Sequence, residues 1–423
     1  MMISKEKFNQ INNWLIILIL STIFFRSVST ALIFIFAGFN IINYSYLSFD
    51  KKNIKYYVIV AIPFLLEILF VWNDIGSAKL FKPIEKNLSF LIFPLFILLN
   101  YKAYNFYYIA DKYRKITTIL IILLLIRFAI ISPDFVQKYM LGRELWEMGY
   151  VITNSFGNHA PTVNMQLAFI VLLNLYFLLK NSSKNTFLNT FLLLLSTFEL
   201  IIINTRLSLG SLVVCSFIMV IGFAYKKYKE KSIYIIASFL IITSSILIIA
   251  FISNPYMKEK YSSVTFSNMD KIGKLDEVEN PDGVLHNALV TRVTIWQSTI
   301  EVAKKNIITG YGSANAKNAL FNYYKESNQK FLSKYEFPVH NQFLDYLLRF
   351  GIIGIIALLF YFIYIFRISI ISKNIIGFVF TLNFLFSNLF DDYLILFGGI
   401  VFSSIWFCLI ISSYLNKTNN YEL

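Results

Sequence analysis

Apolar runs alternate with short polar breaks along most of the chain. They fall at roughly 13–25, 28–47, 56–72, 88–100, 116–131, 161–179, 186–203, 208–224, 232–252, 342–366, 374–390 and 394–415. Several are short against the roughly 20 residues that cross a bilayer as a helix. The first two read as one bent hairpin around Arg26. The pattern predicts an all-α, polytopic membrane protein of about twelve transmembrane helices. One long polar segment, about 253–339, interrupts it and is too long for a simple connector. The chain therefore divides into a bundle over 1–252, a large partly helical loop over 253–339 and closing helices over 340–423. Within the loop, Val293, Trp296, Ile300, Ala303 and Ile307 follow a three-four spacing. They predict an amphipathic helix from Thr291 to Gly310-Tyr311-Gly312. A second helix is expected from Ser313, as N-cap, to about Tyr335.

Composition agrees with this reading. Only 15% of residues are charged, against roughly 25% in soluble domains. The formal charge of +14 would suit a nucleic-acid binder, but the placement of the charges assigns it to topology instead. With the N-terminus inside, inner loops hold Lys51, Lys52, Lys55, Lys102, Lys112, Arg114, Lys115, Lys180, Lys184, Lys226, Lys227, Lys229, Lys231, Arg367 and Lys373. The short outer loops hold far fewer, Lys79, Lys82, Lys86, Lys138 and Arg143, and the long loop with its many lysines is exempt from the charge rule. The positive-inside rule then puts both termini in the cytoplasm and the long loop outside. The N-terminus reads as a retained first span and not as a removed signal peptide. Cys215 and Cys408 lie inside apolar runs, so no disulfide and no metal site is expected of them.

Chemistry gathers where the long loop re-enters the apolar pattern, at HNQFLDYLLRFGIIG, residues 340–354. If the stretch is one α-helix, His340 and Gly351 are about three turns apart and share a face, with Gly354 near the same stripe. Small residues at that spacing make a groove that a neighbouring helix or a lipid chain can enter. Arg26, Arg127, Arg206, Arg292 and Arg349 all map to the outer half, against the orientation bias. Arginine forks onto phosphate and stays charged in low dielectric, so together they suggest a pocket for a phosphorylated lipid. Singly, Arg26 and Arg127 serve equally as snorkelling anchors. Asp345 and Arg349 stand one helical turn apart and suit an ion pair. Glu199 and Arg206 suit another if their helix continues. His159 either lines the site or is interfacial, and His286 reads as a solvated loop residue. Asp391-Asp392 are adjacent and read as a polar turn, so no metal is expected.

The spacing His340, Asn341, nine residues, Gly351, two residues, Gly354 resembles the signature of the O-antigen ligase and polymerase superfamily. INTRLSLG (203–210) and TRVTIWQSTIEVAKKNIITGYGSAN (291–315) are similar to two further stretches of that family. The resemblance implies a metal-independent, inverting glycosyltransferase that needs no cofactor, in the inner membrane of a bacterium, with a periplasmic active site. It implies a glycan donor on undecaprenyl diphosphate and an acceptor hydroxyl on lipid A-core, or on a second glycan in a polymerase. By similarity His340 is the base or orienting group, and Arg206 and Arg292 hold the diphosphate. Asn341, Arg26, Arg127, Glu199 and His159 are further candidates to line the site. A lipid-linked glycan transporter is the reading from a different class. It predicts paired broken helices and charges at mid-membrane.

Overall fold

A computed structural model describes residues 4–47, 51–141, 148–180, 185–253, 266–286 and 288–419. Arg143, Lys184 and the first part of the polar loop lie outside these. Every regular element among the described residues is helical. The chain opens with the hairpin α1 (Lys5–Ser21) and α2 (Arg26–Ile42), followed by α3 (Ile54–Val60), α4 (Ile62–Leu69), α5 (Lys82–Asn87) and α6 (Ser89–Phe93). Then come α7 (Phe106–Ile131), α8 (Pro133–Met140), α9 (Met148–Asn154), α10 (Ala160–Lys180), α11 (Thr186–Ile203), α12 (Arg206–Tyr228) and α13 (Ser232–Ser253). The polar segment, outer only in the sense that it packs beyond the end of the bundle that carries His340, carries α14 (Pro281–Val284), α15 (Leu289–Lys304), α16 (Ala316–Glu326) and α17 (Lys330–Tyr335). The closing helices are α18 (Gln342–Ile371), α19 (Ile375–Phe390) and α20 (Phe397–Asn419).

Among the described residues, five helices are long and apolar enough to cross a membrane, or six if the α7–α8 pair, bent by 100°, is one span. The expectation of about twelve was larger because an apolar run need not be one helix. The run 56–72 breaks into α3, α4 and a 3-10 turn, with Pro63 in the first turn of α4. The run 88–100 passes from α6 into a π-helical turn at Pro94. Proline has no N–H to give the preceding turn.

One buried cluster runs through the bundle, with α10 and α20 at its centre. The helices α10, α12 and α18 all run the same way relative to the site. Their starts carry His159, Arg206 and His340, while Lys180, Lys226, Lys373 and Lys417 gather at the other end, close enough to repel one another. A second, separate core holds Leu275, Leu285, Ile295, Val302, Leu320 and Phe331 of the outer segment. It closes on Val339 and on Leu348 of α18.

The outer helices differ from their expected bounds. α15 stops at Lys304, before the glycines. The next helix starts at Ala316 and is split by a left-handed turn at Asn328. Ser313 does not cap it. Asp74 does so from the far side of the chain, accepting from the N–H groups of Ser313, Ala314 and Asn315 at 3.0, 2.8 and 3.2 Å.

The helix α18 is broken at Gly351, whose φ is 65° and ψ −156°. The expected continuous face from His340 to Gly351 is therefore corrected. His340 lies outside the helix with φ 53°, and Gly351 is the kink. The close approach permitted by the glycine is real, but the occupant is the loop after α15 and not a lipid chain. A Cβ on Gly351 would strike the carbonyls of Ile307 and Ile308, and one on Gly310 would strike the backbone of Arg349. Gly354 packs under Tyr346 and Phe350 of its own helix. Hydrogen bonds are exchanged across the break. Ile352 N–H donates to Ile307 O at 2.8 Å, and the Leu348 and Arg349 carbonyls accept from Tyr311 and Gly312 at 2.9 Å each.

Candidate active site

One residue ahead of α18, the chain is stitched to the end of α19. The Asn341 side chain caps α18 by accepting from Phe343 and Leu344 N–H, and its amide donates to Leu389 O at 2.8 Å. The α15 helix presses on the same place. Trp296 donates to Val339 O at 3.1 Å and Arg292 to Phe390 O at 2.5 Å. One turn apart, these two side chains clamp the backbone on either side of the site. His340 is thus held left-handed, a conformation costly for a residue with a Cβ and often found at functional sites.

The clamp sets His340 Nδ1 3.2 Å from Asp391 Oδ1. Burial pushes the Asp391 carboxyl up. The His340 hydrogen bond and charge, the link to Asp392 and the nearby Arg292 outweigh this and hold it well below the usual carboxylate range. Ionised Asp391 needs a proton on Nδ1, which leaves Nε2 of a neutral ring as the basic nitrogen. Asp392 goes the other way. Burial first, then the charge of Asp391, pushes it far up, because two adjacent carboxylates in low dielectric do not both ionise. His159, at the head of α10, is close enough to feel Asp391, His340 and Arg292. Its ring meets Tyr150 edge-on at 5.5 Å.

This arrangement has a basic imidazole, a carboxylate that orients it, and a guanidinium alongside. Residues 191–359 match the O-Antigen ligase family. Over that segment the chain is similar to the O-antigen ligase family. No curated protein matches it. The family is one of membrane glycosyltransferases of the ligase and polymerase type. Arg206, Arg292 and His340 lie inside the matched segment, whereas Asp391 and His159 lie outside it.

Of the candidates read from the sequence, His340, Asn341, Arg292 and His159 come together. Arg206 opens α12 at the same end. The turn before it is tied to α10, with the Asn164 amide 2.9 Å from Thr205 Oγ1. Arg206 is not among the groups that act most strongly on Asp391. Arg127 reaches Ser155 O at 3.4 Å, and Arg26 lies over the Phe397 ring at 5.5 Å. The pairing of Glu199 with Arg206 on one face is corrected. The helix does not continue, because Asn204 turns left-handed at φ 48° between α11 and α12. Glu199 is buried with neither carboxylate oxygen hydrogen-bonded. Arg349 pairs with Asp345 at 3.2 Å as its spacing suggested, but also with Glu67 and Ser313. His286 is not simply solvated, for it packs against Tyr335 at 4.4 Å.

Asp391 is the residue that sequence reasoning missed. The polar-turn reading is corrected by its contact with His340. The signal was present: two carboxyls at the end of an apolar run are costly unless something nearby uses them. Among the described residues, His340, Asp391 and Asp392 are the group able to offer a metal ion three ligand atoms, all within 4.8 Å of one another.

Proposed function

We propose that the chain transfers a glycan from undecaprenyl diphosphate to a sugar hydroxyl at the periplasmic face of the inner membrane, and that it is an O-antigen ligase acting on lipid A-core. The observation that carries the reading is the His340–Asp391 pair with Arg292 against the same backbone. The acceptor O–H gives its proton to His340 Nε2 while its oxygen attacks the anomeric carbon. The bond from that carbon to the diphosphate oxygen breaks, and the leaving diphosphate takes the electron pair. Its growing charge is met by Arg292, held at Phe390 O, and by Arg206 at the start of α12. Asp391 keeps Nδ1 protonated and stabilises the imidazolium that forms, so it positions the base. Attack opposite the leaving group in one displacement inverts the anomeric centre.

The transfer proposed here is metal-independent. In it His340 Nδ1 is engaged by Asp391 at 3.2 Å, and no step calls on an ion. Purified protein with lipid-linked donor tests both points. His340→Ala and Arg292→Ala are each expected to lower turnover by about 10²-fold or more, and EDTA to leave the parent unchanged. Near-parental donor consumption by His340→Ala sinks the catalytic assignment. Loss of activity in EDTA with recovery on Mg²⁺ makes the three-residue group a metal site instead. A lipopolysaccharide gel of a deletion strain separates ligase from polymerase. Unsubstituted core with accumulated lipid-linked polymer means ligase, and core bearing one repeat unit means polymerase.

A further inference from the structure

The outer segment contains a cavity of about 330 Å³ that the transfer chemistry does not use. It lies between α15, α16 and the turn after α16, lined by Thr294, Gln297, Ser298, Glu301, Tyr323 and Gln329. On α15 these positions are about 140–240° around the helix from Arg292 and roughly 3–14 Å further along its axis. The cavity therefore opens on the face of α15 turned away from His340, a few sugar lengths from it.

Its chemistry is that of a polyol site. Two amides, a carboxylate and two hydroxyls surround one aromatic ring. The Gln329 oxygen accepts from Ser298 at 3.0 Å, which leaves its NH₂ to donate. Gln297 has no hydrogen-bond partner among the described residues and presents both a donor and an acceptor. Planar side chains of this kind match the adjacent hydroxyls of a pyranose, and a tyrosine ring takes its C–H face. Of the two lysines beside the lining, Lys304 is paired with Glu301 at 2.6 Å and Lys305 lies 5.7 Å from the Tyr323 ring centre, which leaves too little positive charge for a phosphate. Ile300 and the Tyr323 ring are the large apolar side chains of the lining, too few to enclose an acyl chain.

We propose that this cavity is a glycan subsite that holds a neutral sugar unit of the transferred chain, away from the bond being made. Which glycan occupies it rests on the proposed function, but sugar binding itself does not. The test uses the full-length protein in detergent with cellotetraose and chitotetraose as probes, read by ligand-observed NMR. At least one should bind with a dissociation constant on the order of 1 mM. The Gln297→Ala/Tyr323→Ala protein should bind it at least tenfold more weakly, and Tyr323→Phe, which keeps the ring, should bind like the parent. Absence of binding by both probes, or equal binding by the double variant, overturns the subsite. In transfer assays the double variant should keep parental kcat/KM for a donor with one repeat unit and lose about tenfold for a long donor. Equal loss on both donors also overturns it. Probe binding that is lost in the double variant of a chain without transferase activity supports the subsite while removing the proposed function.

Discussion

At the scale of single residues, the site depends on the opposite behaviour of two neighbouring carboxyls. Asp391 is kept ionised by His340, so Asp391→Asn should leave the ring in place with the wrong nitrogen protonated. We expect kcat to fall about 10²–10⁴-fold with donor KM little changed, and the acid limb of the pH–rate profile to move. A parental profile would remove Asp391 from the positioning role. Asp392 is kept protonated by burial and by Asp391. An unfolded carboxyl loses its proton near pH 3.9, so below about pH 4 both states hold it and nothing is lost. As pH rises, the unfolded state releases the proton and the folded state does not, and stability falls. Asp392→Asn, followed by thermal unfolding in EDTA, should therefore unfold at a higher temperature than the parent at about pH 7.5. The gain should shrink towards about pH 4.5. A gain independent of pH would show that Asp392 is not the titrating group.

At the scale of elements, α18 and the loop after α15 are one hydrogen-bonded unit. The glycines at 310 and 351 allow the backbones to meet, and both have positive φ, 63° and 65°. Gly351→Ala should cost at least about 1–3 kcal/mol from backbone strain, and more from the clash with Ile307 and Ile308. Limited proteolysis should then cut the outer segment faster than in the parent. Unchanged cleavage would mean that the loop is held by other contacts. The helix-face reading of 340–354 failed here for a definite reason. Periodicity shows where side chains fall if the helix is regular, and it carries no information on a second backbone that replaces the helix's own bonds.

At the scale of the whole molecule, the outer unit is fastened to the bundle by buried charge. Arg349 joins Glu67 of α4, Asp345 of its own helix and Ser313 of the loop, while Asn87 donates to Glu67 at 3.0 Å. Breaking a buried pair from one side leaves an uncompensated charge and costs about 3–5 kcal/mol. Glu67→Met and Arg349→Met should each lower thermal stability by about that much, and the combined Glu67→Met/Arg349→Met protein should recover a large part. Additive losses in this double-mutant cycle would mean that the pair is not coupled. The separation of the two ends belongs to the same scale. Lysines collect at the helix ends opposite His340, as the asymmetry of the loops led one to expect.

The amino-acid order alone determined the helical class and an apolar bundle with a separate polar unit, and it marked the end of the molecule at which we propose that the chemistry lies. Each of these follows from local periodicity, charge asymmetry or a short motif around His340. Tertiary structure alone decided that Asp391 orients His340, that Asp74 caps a helix some 240 residues away, that Gly351 is a kink, and that Glu199 and Arg206 lie on separate helices. The reason is that these relations join positions distant in the chain, or hang on one backbone dihedral. A pattern of side-chain polarity is insensitive to either.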